Sequence, residues 1–201
     1  CRHGGEHRVI PDRIAAATFL AAAVSTRGDV EVTGICPEHI ATVTAALQET
    51  GSVVRAGRDS VRVIGAKKPR AIRPVITRPY PGFPTDAHPP VMAAVLTAEG
   101  TTAFVENMFE NRFRHAEELC RMGADIKVVG KVAMVTGVPE LTSAPVKAAD
   151  LRGGAALAVA ALGAEGTSEI YDIFHIDRGY DRFDGTLSDL GADIRRVEYK
   201  R

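Results

Sequence analysis

Three stretches share one design: Arg27-Gly28-Asp29-Val30-Glu31-Val32, Glu99-Gly100-Thr101-Thr102-Ala103-Phe104-Val105 and Glu165-Gly166-Thr167-Ser168-Glu169-Ile170-Tyr171. In each, a glycine closes an alanine-rich run and opens a stretch that alternates, the pattern of a helix ending where a strand begins. The three glycines are 72 and 66 residues apart, and a second set, Gly51, Gly123 and Gly191, is spaced 72 and 68. Two sets in step with each other imply three structural repeats in one domain over 1–201, at about 6–70, 71–143 and 144–201.

Each repeat reads as βαβαββ. A short strand (7–11, 72–77, 145–149) precedes an alanine-rich helix (about 13–25, 88–98, 151–164). After the glycine comes a strand, then an amphipathic helix (about 37–49, 112–122, 179–190). The second glycine follows that helix, where a left-handed C-cap residue is favoured. A strand pair then closes the unit, except that the third stops after Asp193-Ile194-Arg195-Arg196-Val197-Glu198-Tyr199, so its last strand is missing or comes from elsewhere. The first helices are apolar almost all round, which suits burial, and their alanines allow close approach. The strands alternate, as sheets with one wet face do. The expected fold is α/β (α+β), with helices in the middle and sheets outside.

Of 201 residues, 45% are apolar and 25% charged, with 25 basic and 25 acidic side chains. Charge gives no reason to expect nucleic acid or an anionic membrane as a partner. The apolar runs Ile14–Val24 and Leu157–Ala164 fall well short of the ~20 residues of a membrane span, and the polar first dozen residues are no signal peptide. Cys1, Cys36 and Cys120 form neither a disulfide framework nor a metal motif. They point to a reducing cytoplasm, with Cys36 and Cys120 as small buried apolar residues. A first residue of Cys1 is expected of a fragment.

Aspartate precedes each alanine-rich helix: Asp12, Asp86 and Asp150. One use for it is N-capping. The other depends on packing: if the three helices lie side by side, their N-termini converge and favour a phosphate or carboxylate ligand. Asp86 and Asp150 would then stand at the rim. Arg112 and Arg178 each lie twelve residues after the repeat glycine, where the first unit has Ile40. They serve either surface ion pairs or bidentate capture of an anion. Arg152, two residues after Asp150, adds a third cation. The six histidines lack metal-ligand spacing, and no dinucleotide, P-loop or nucleophile-elbow motif occurs, so neither metal nor cofactor is expected.

Pro79-Tyr80-Pro81-Gly82-Phe83-Pro84-Thr85-Asp86, the run Phe109-Glu110-Asn111-Arg112-Phe113 and the run His175-Ile176-Asp177-Arg178-Gly179-Tyr180 closely resemble UDP-N-acetylglucosamine enolpyruvyl transferases. The resemblance spans about residues 5–198. It implies an inside-out α/β barrel, and a protein of two such domains of which this chain is the C-terminal one. It implies transfer of the enolpyruvyl group of phosphoenolpyruvate to the 3-hydroxyl of UDP-N-acetylglucosamine, the first committed step of peptidoglycan synthesis in the cytoplasm. By the same resemblance Asp86 is the general base at the sugar hydroxyl, and Met108 a sugar-nucleotide contact. Asp150 and Arg152 lie near the reacting centre, Arg178 clamps phosphoenolpyruvate, and Arg112 belongs to the same site.

Two departures from the family pattern fall at this rim. Family members continue after the Asp86 motif with Met-Gln-Ala-Gln-Phe, where this chain has Ala87-His88-Pro89-Pro90. Pro90 is expected to delay or distort the helix start. Gly153-Gly154, in place of a small pair such as Ala-Ser, is expected to loosen the other. By the same resemblance the loop cysteine, a Lys-Asn pair and the grip on the uridine diphosphate belong to an N-terminal catalytic-loop domain, which is expected to be absent from this chain. The shikimate-pathway transferase has the same fold but different motifs. A non-catalytic paralogue or fragment that binds or packs is the alternative of another class.

Overall fold

A computed structural model describes residues 3–198. The first unit contains α1 (Arg13–Ser25), β1 (Asp29–Thr33), a 3-10 turn (Pro37–Ile40), α2 (Ala41–Glu49), β2 (Val53–Ala56) and β3 (Ser60–Ile64). The second contains β4 (Val75–Ile76), a 3-10 turn (Thr85–Ala87), α3 (His88–Ala94), β5 (Thr101–Val105), α4 (Arg114–Arg121), β6 (Asp125–Val129) and β7 (Val132–Thr136). The third contains β8 (Pro145–Lys147), α5 (Leu151–Leu162), β9 (Glu169–Tyr171), α6 (Phe174–Asp177) and α7 (Phe183–Asp189).

Helices α1, α3 and α5 pack on one another in the centre. Alanine at Ala17, Ala21, Ala93, Ala156 and Ala160 keeps their axes close, while Leu20, Met92 and Leu157 fill what remains, all almost wholly buried. Around them lie sheets ordered β1-β3-β2, β4-β5-β7-β6 and β8-β9. The parallel pairs β4–β5 and β8–β9 are each joined through a central helix, the crossover that parallel strands need. In β3 and β7 the alternation of buried and exposed residues puts Val61, Val63, Ala133 and Val135 on the helices. Gly51, Gly123 and Gly191 have φ of 92°, 88° and 97°, as the C-terminal glycine pattern predicts.

The helices are thus central and the sheets peripheral, but the sheets are open and none closes on itself among the described residues. Only the second unit is a full βαβαββ there. No strand forms at 7–11, which is exposed, although β1, the counterpart of β5, has a free edge where β4 pairs in the second unit. Residues 192–198 are not a strand either, and no described strand pairs with them; Tyr199 lies outside the described residues. Among the described residues β9 has no antiparallel neighbour of the kind that β1 has in β3 and β5 has in β7. A groove of about 840 Å³ runs beside it, lined by Phe19, Ala22, Leu162, Ile170, Leu187 and Ile194 among others.

Other expectations need correction. The second helices begin later than 112 and 179, so Arg112 precedes α4, and α6 and α7 split the third copy around Arg178. Cys120 is exposed on α4 and Cys36 is half-buried with its thiol donating to Glu38, so neither is a buried apolar residue. Cys1 lies outside the described residues. Among the described residues no helix is long and apolar enough to cross a membrane.

Candidate functional site

The site is built where the first turns of α3 and α5 meet. Asp12 is a plain N-cap, accepting from the backbone N–H of Ile14 and Ala15 at 2.8 and 3.1 Å. Asp150 likewise caps α5 through Gly153 N at 2.8 Å. Asp86 does not cap. It sits in the 3-10 turn before α3, whose N-cap is Ala87, so its carboxylate is free to reach sideways.

Two arginines meet that carboxylate. Arg112 Nη2 donates to Asp86 Oδ1 at 2.7 Å, and Arg152 Nε stands 3.6 Å from Asp86 Oδ2. Arg152 is only 9% exposed, with its guanidinium 5.1 Å from the centre of the Tyr180 ring. Its Nε and Nη1, and Nε of Arg112, have no hydrogen-bond partner among the described residues. Buried guanidinium donors without acceptors are costly, and the chemistry that satisfies them is an anion with several oxygens. The N-terminus of α5 adds its partial positive charge.

Arg178 is exposed at the end of α6, its backbone N–H donating to Ile176 O and its side chain making no hydrogen bond or ion pair among the described residues. It neighbours Gly179, which packs on Leu151 at the start of α5, and lies two residues from Tyr180. It therefore stands at the same end of the molecule but does not touch Asp86. Met108 is 42% exposed on the loop after β5, with its N–H held by Glu106 at 2.7 Å.

The two departures have structural answers. Pro89 and Pro90 fall in the first turn of α3, where backbone N–H groups have no intrahelical acceptor and proline is tolerated. The preceding turn is 3-10, and that displaces Asp86 from a capping role. Helix α5 starts regularly at Leu151. A Cβ on Gly154 would lie 2.8 Å from side-chain carbons of both Ala148 and Ile176, and one on Gly153 3.1 Å from His115 Cβ. These glycines admit close neighbours and do not loosen the helix.

Sequence reasoning missed the layer beneath. Glu106, 1% exposed, follows the inward residues Thr102 and Phe104 at the next two-residue step, and a carboxylate at an inward strand position was the available signal. His88 and His115 are also buried. Burial lowers both imidazoles to about 4, outweighing Glu106 beside His88 and Asp150 beside His115. The 3.7 Å approach of His88 Nδ1 to Glu106 is therefore no ion pair at neutral pH.

A prediction follows for stability. In the unfolded chain each imidazole gains a proton near the ordinary 6.5; in the folded chain it does so only near 4. Stability is full above 6.5 and declines as pH falls toward 4, by up to ~1.4 kcal/mol per pH unit for each histidine. Urea unfolding between about pH 7.5 and pH 5 should show this decline, with a shallower slope in His115→Leu. A flat profile would disprove it. Among the described residues no cluster of His, Cys, Asp or Glu could hold a metal ion.

The sequence model described as EPSP synthase (3-phosphoshikimate 1-carboxyvinyltransferase) matches residues 2–187. A relative named UDP-N-acetylglucosamine 1-carboxyvinyltransferase 2, from Caldanaerobacter subterraneus subsp. tengcongensis, is 47% identical over 195 residues, covering 97% of this chain and 47% of the relative. UDP-N-acetylglucosamine 1-carboxyvinyltransferase 1 of Symbiobacterium thermophilum is 53% identical over 192 residues, covering 96% and 43%. Among solved structures, the enolpyruvyl transferase NikO from Streptomyces tendae superposes with a TM-score of 0.82 at 30% identity, over 93% of this chain and 44% of that one. The chain spans about half the length of the curated relatives it matches.

Proposed function

Since the chain belongs to the EPSP synthase family of carboxyvinyl transferases, we propose that it is the half of a UDP-N-acetylglucosamine 1-carboxyvinyltransferase that brings the general base and arginine donors to the reacting centre. The observation that carries this is Asp86 paired with Arg112 and Arg152, whose buried guanidinium groups keep further donors without a partner among the described residues.

The reaction needs both groups. The sugar 3-hydroxyl oxygen bonds to C2 of phosphoenolpyruvate as the C2–C3 double bond opens. The electron pair of that bond takes a proton at the methylene carbon from an acid that, in this reading, the N-terminal domain supplies. The hydroxyl proton passes to a base, the role assigned to Asp86. The tetrahedral adduct then loses phosphate and one methyl proton, restoring the double bond on the sugar ether. Arg152 and Arg112, with Arg178 approaching from the end of α6, suit the carboxylate and phosphate oxygens whose charge changes along this path. Met108 would pack against the sugar nucleotide. Asp150 holds α5 so that Arg152 faces Asp86. In this reading, the cysteine loop and the grip on uridine diphosphate come from an N-terminal domain, both domains form inside-out barrels, and the enzyme works in the cytoplasm on a peptidoglycan precursor.

The chain should be assayed for phosphate release by itself and joined to the N-terminal half of one of the curated relatives. With phosphoenolpyruvate and UDP-N-acetylglucosamine, the chain by itself should give no turnover and the joined protein should be active. Activity with shikimate 3-phosphate instead would overturn the acceptor. A folded, inactive fusion would favour the non-catalytic alternative.

A further inference from the structure

Glu106 makes four hydrogen bonds while almost wholly out of water. Its Oε1 accepts from Thr77 Oγ1 at 2.9 Å, Met108 N at 2.7 Å and Phe109 N at 3.1 Å. Its Oε2 accepts from Thr85 Oγ1 at 2.8 Å. Thr77 in turn accepts from Asn107 N at 2.8 Å. Burial pushes the Glu106 carboxyl up, and these donors pull it down further, leaving it below the ordinary carboxylate range and charged. A buried charge is tolerated on such terms, but apolar packing fills a core position at lower cost. What distinguishes this carboxylate is what it joins. One oxygen holds the loop carrying Met108; the other holds Thr85, the residue before Asp86.

We propose that Glu106 is a positioning residue, tying the turn that carries Asp86 to the loop that carries Met108 so that base and acceptor-sugar contact keep one geometry. The inference rests on the reading of Asp86 and Met108 given above. Neither segment has regular structure to hold it: Asp86 stands in one 3-10 turn, and residues 106–112 lie outside helix and strand. Thr85 Oγ1 and the Met108 amide converge on one carboxylate and set their separation. A misplacement of about 1 Å at a reacting group costs on the order of a hundredfold in rate, so a link of this kind has a kinetic consequence.

Thr85→Val removes one hydroxyl at nearly constant shape. In the joined enzyme it should lower kcat about tenfold, with the KM for UDP-N-acetylglucosamine changed less than about threefold. Placed on Asp86→Asn it should cause no further loss, because the link acts through Asp86; a merely structural defect would multiply. Glu106→Gln should lower kcat and also raise that KM, since the Met108 loop is freed as well. Independently of turnover, amide hydrogen exchange in the 201-residue chain should quicken at Met108 and Phe109 by about tenfold or more in Glu106→Gln, and stay unchanged at Leu157. Unchanged exchange at Met108 and Phe109 would overturn the proposal, as would a multiplying loss in the double variant. An inactive joined wild type would overturn the reading of function instead, leaving the exchange test of Glu106 standing.

Discussion

Asp86→Asn in the joined enzyme should cut kcat by about two to four orders of magnitude while the protein still folds. Asparagine keeps the shape of the side chain and an oxygen for Arg112, so the 2.7 Å contact can persist. It lacks the charge that opposes the two arginines, and it cannot take the proton of the attacking hydroxyl. The Asp86 side chain is 43% exposed but its partners Arg112 and Arg152 are 21% and 10% exposed, so loss of the charge should cost about 1–3 kcal/mol of stability, short of unfolding the domain. Steady-state phosphate release gives the answer, and the split between constants matters. A fall in kcat with little change in KM marks a group acting in the transition state, and a rise in KM by itself marks a ground-state contact. Near-normal kcat would remove Asp86 from the chemistry.

Gly137→Ala should destabilise the fold by about 3 kcal/mol or more, lowering the melting temperature by roughly 10 °C. At the end of β7, Gly137 donates its N–H to Gly100 O at 3.0 Å, and Val138 donates to Leu96 O at 2.9 Å. These bonds draw the strand end over the turn that follows α3. A Cβ there would lie 1.6 Å from the backbone oxygen of Ala98, which cannot rotate aside. The first unit repeats the arrangement 72 residues earlier: Gly65 donates to Gly28 O, and its Cβ would meet Ala23 O at 2.4 Å. Gly5→Ala is the control, having nothing within 4 Å of the added carbon, and should change stability by less than about 0.5 kcal/mol. Thermal unfolding of the three proteins checks the pair; equal melting temperatures would show that the close approach can relax.

Much of this arrangement was legible in the residues. Glycines at fixed spacing set three units, and an apolar surface all round marked α1, α3 and α5 as central, because such a helix has no face suited to water. The approach of Asp86 to Arg152 was legible because helix starts that pack side by side bring their first residues together, whereas Asp150 is taken up in capping α5. The links from Glu106 to Thr85 and Met108 were not, since an inward glutamate reveals burial but not which loops will meet it. Arg112 and Arg178 have equal positions in the repeat, yet one meets Asp86 and the other stays exposed. The difference arises because α4 continues as one helix after Arg112, whereas the third unit breaks into α6 and α7 around Arg178.

The sequence by itself determined the repeat, the buried helices and the family, since periodicity and local motifs are properties of residues near one another in the chain. Only the tertiary structure decided that the sheets stay open among the described residues, that Pro89 and Pro90 fit the first turn of α3, and that Asp86 faces two arginines in place of capping a helix. Each of these depends on distances between segments far apart in sequence. Such distances follow from how side chains fill space between packed elements, and no local pattern encodes that.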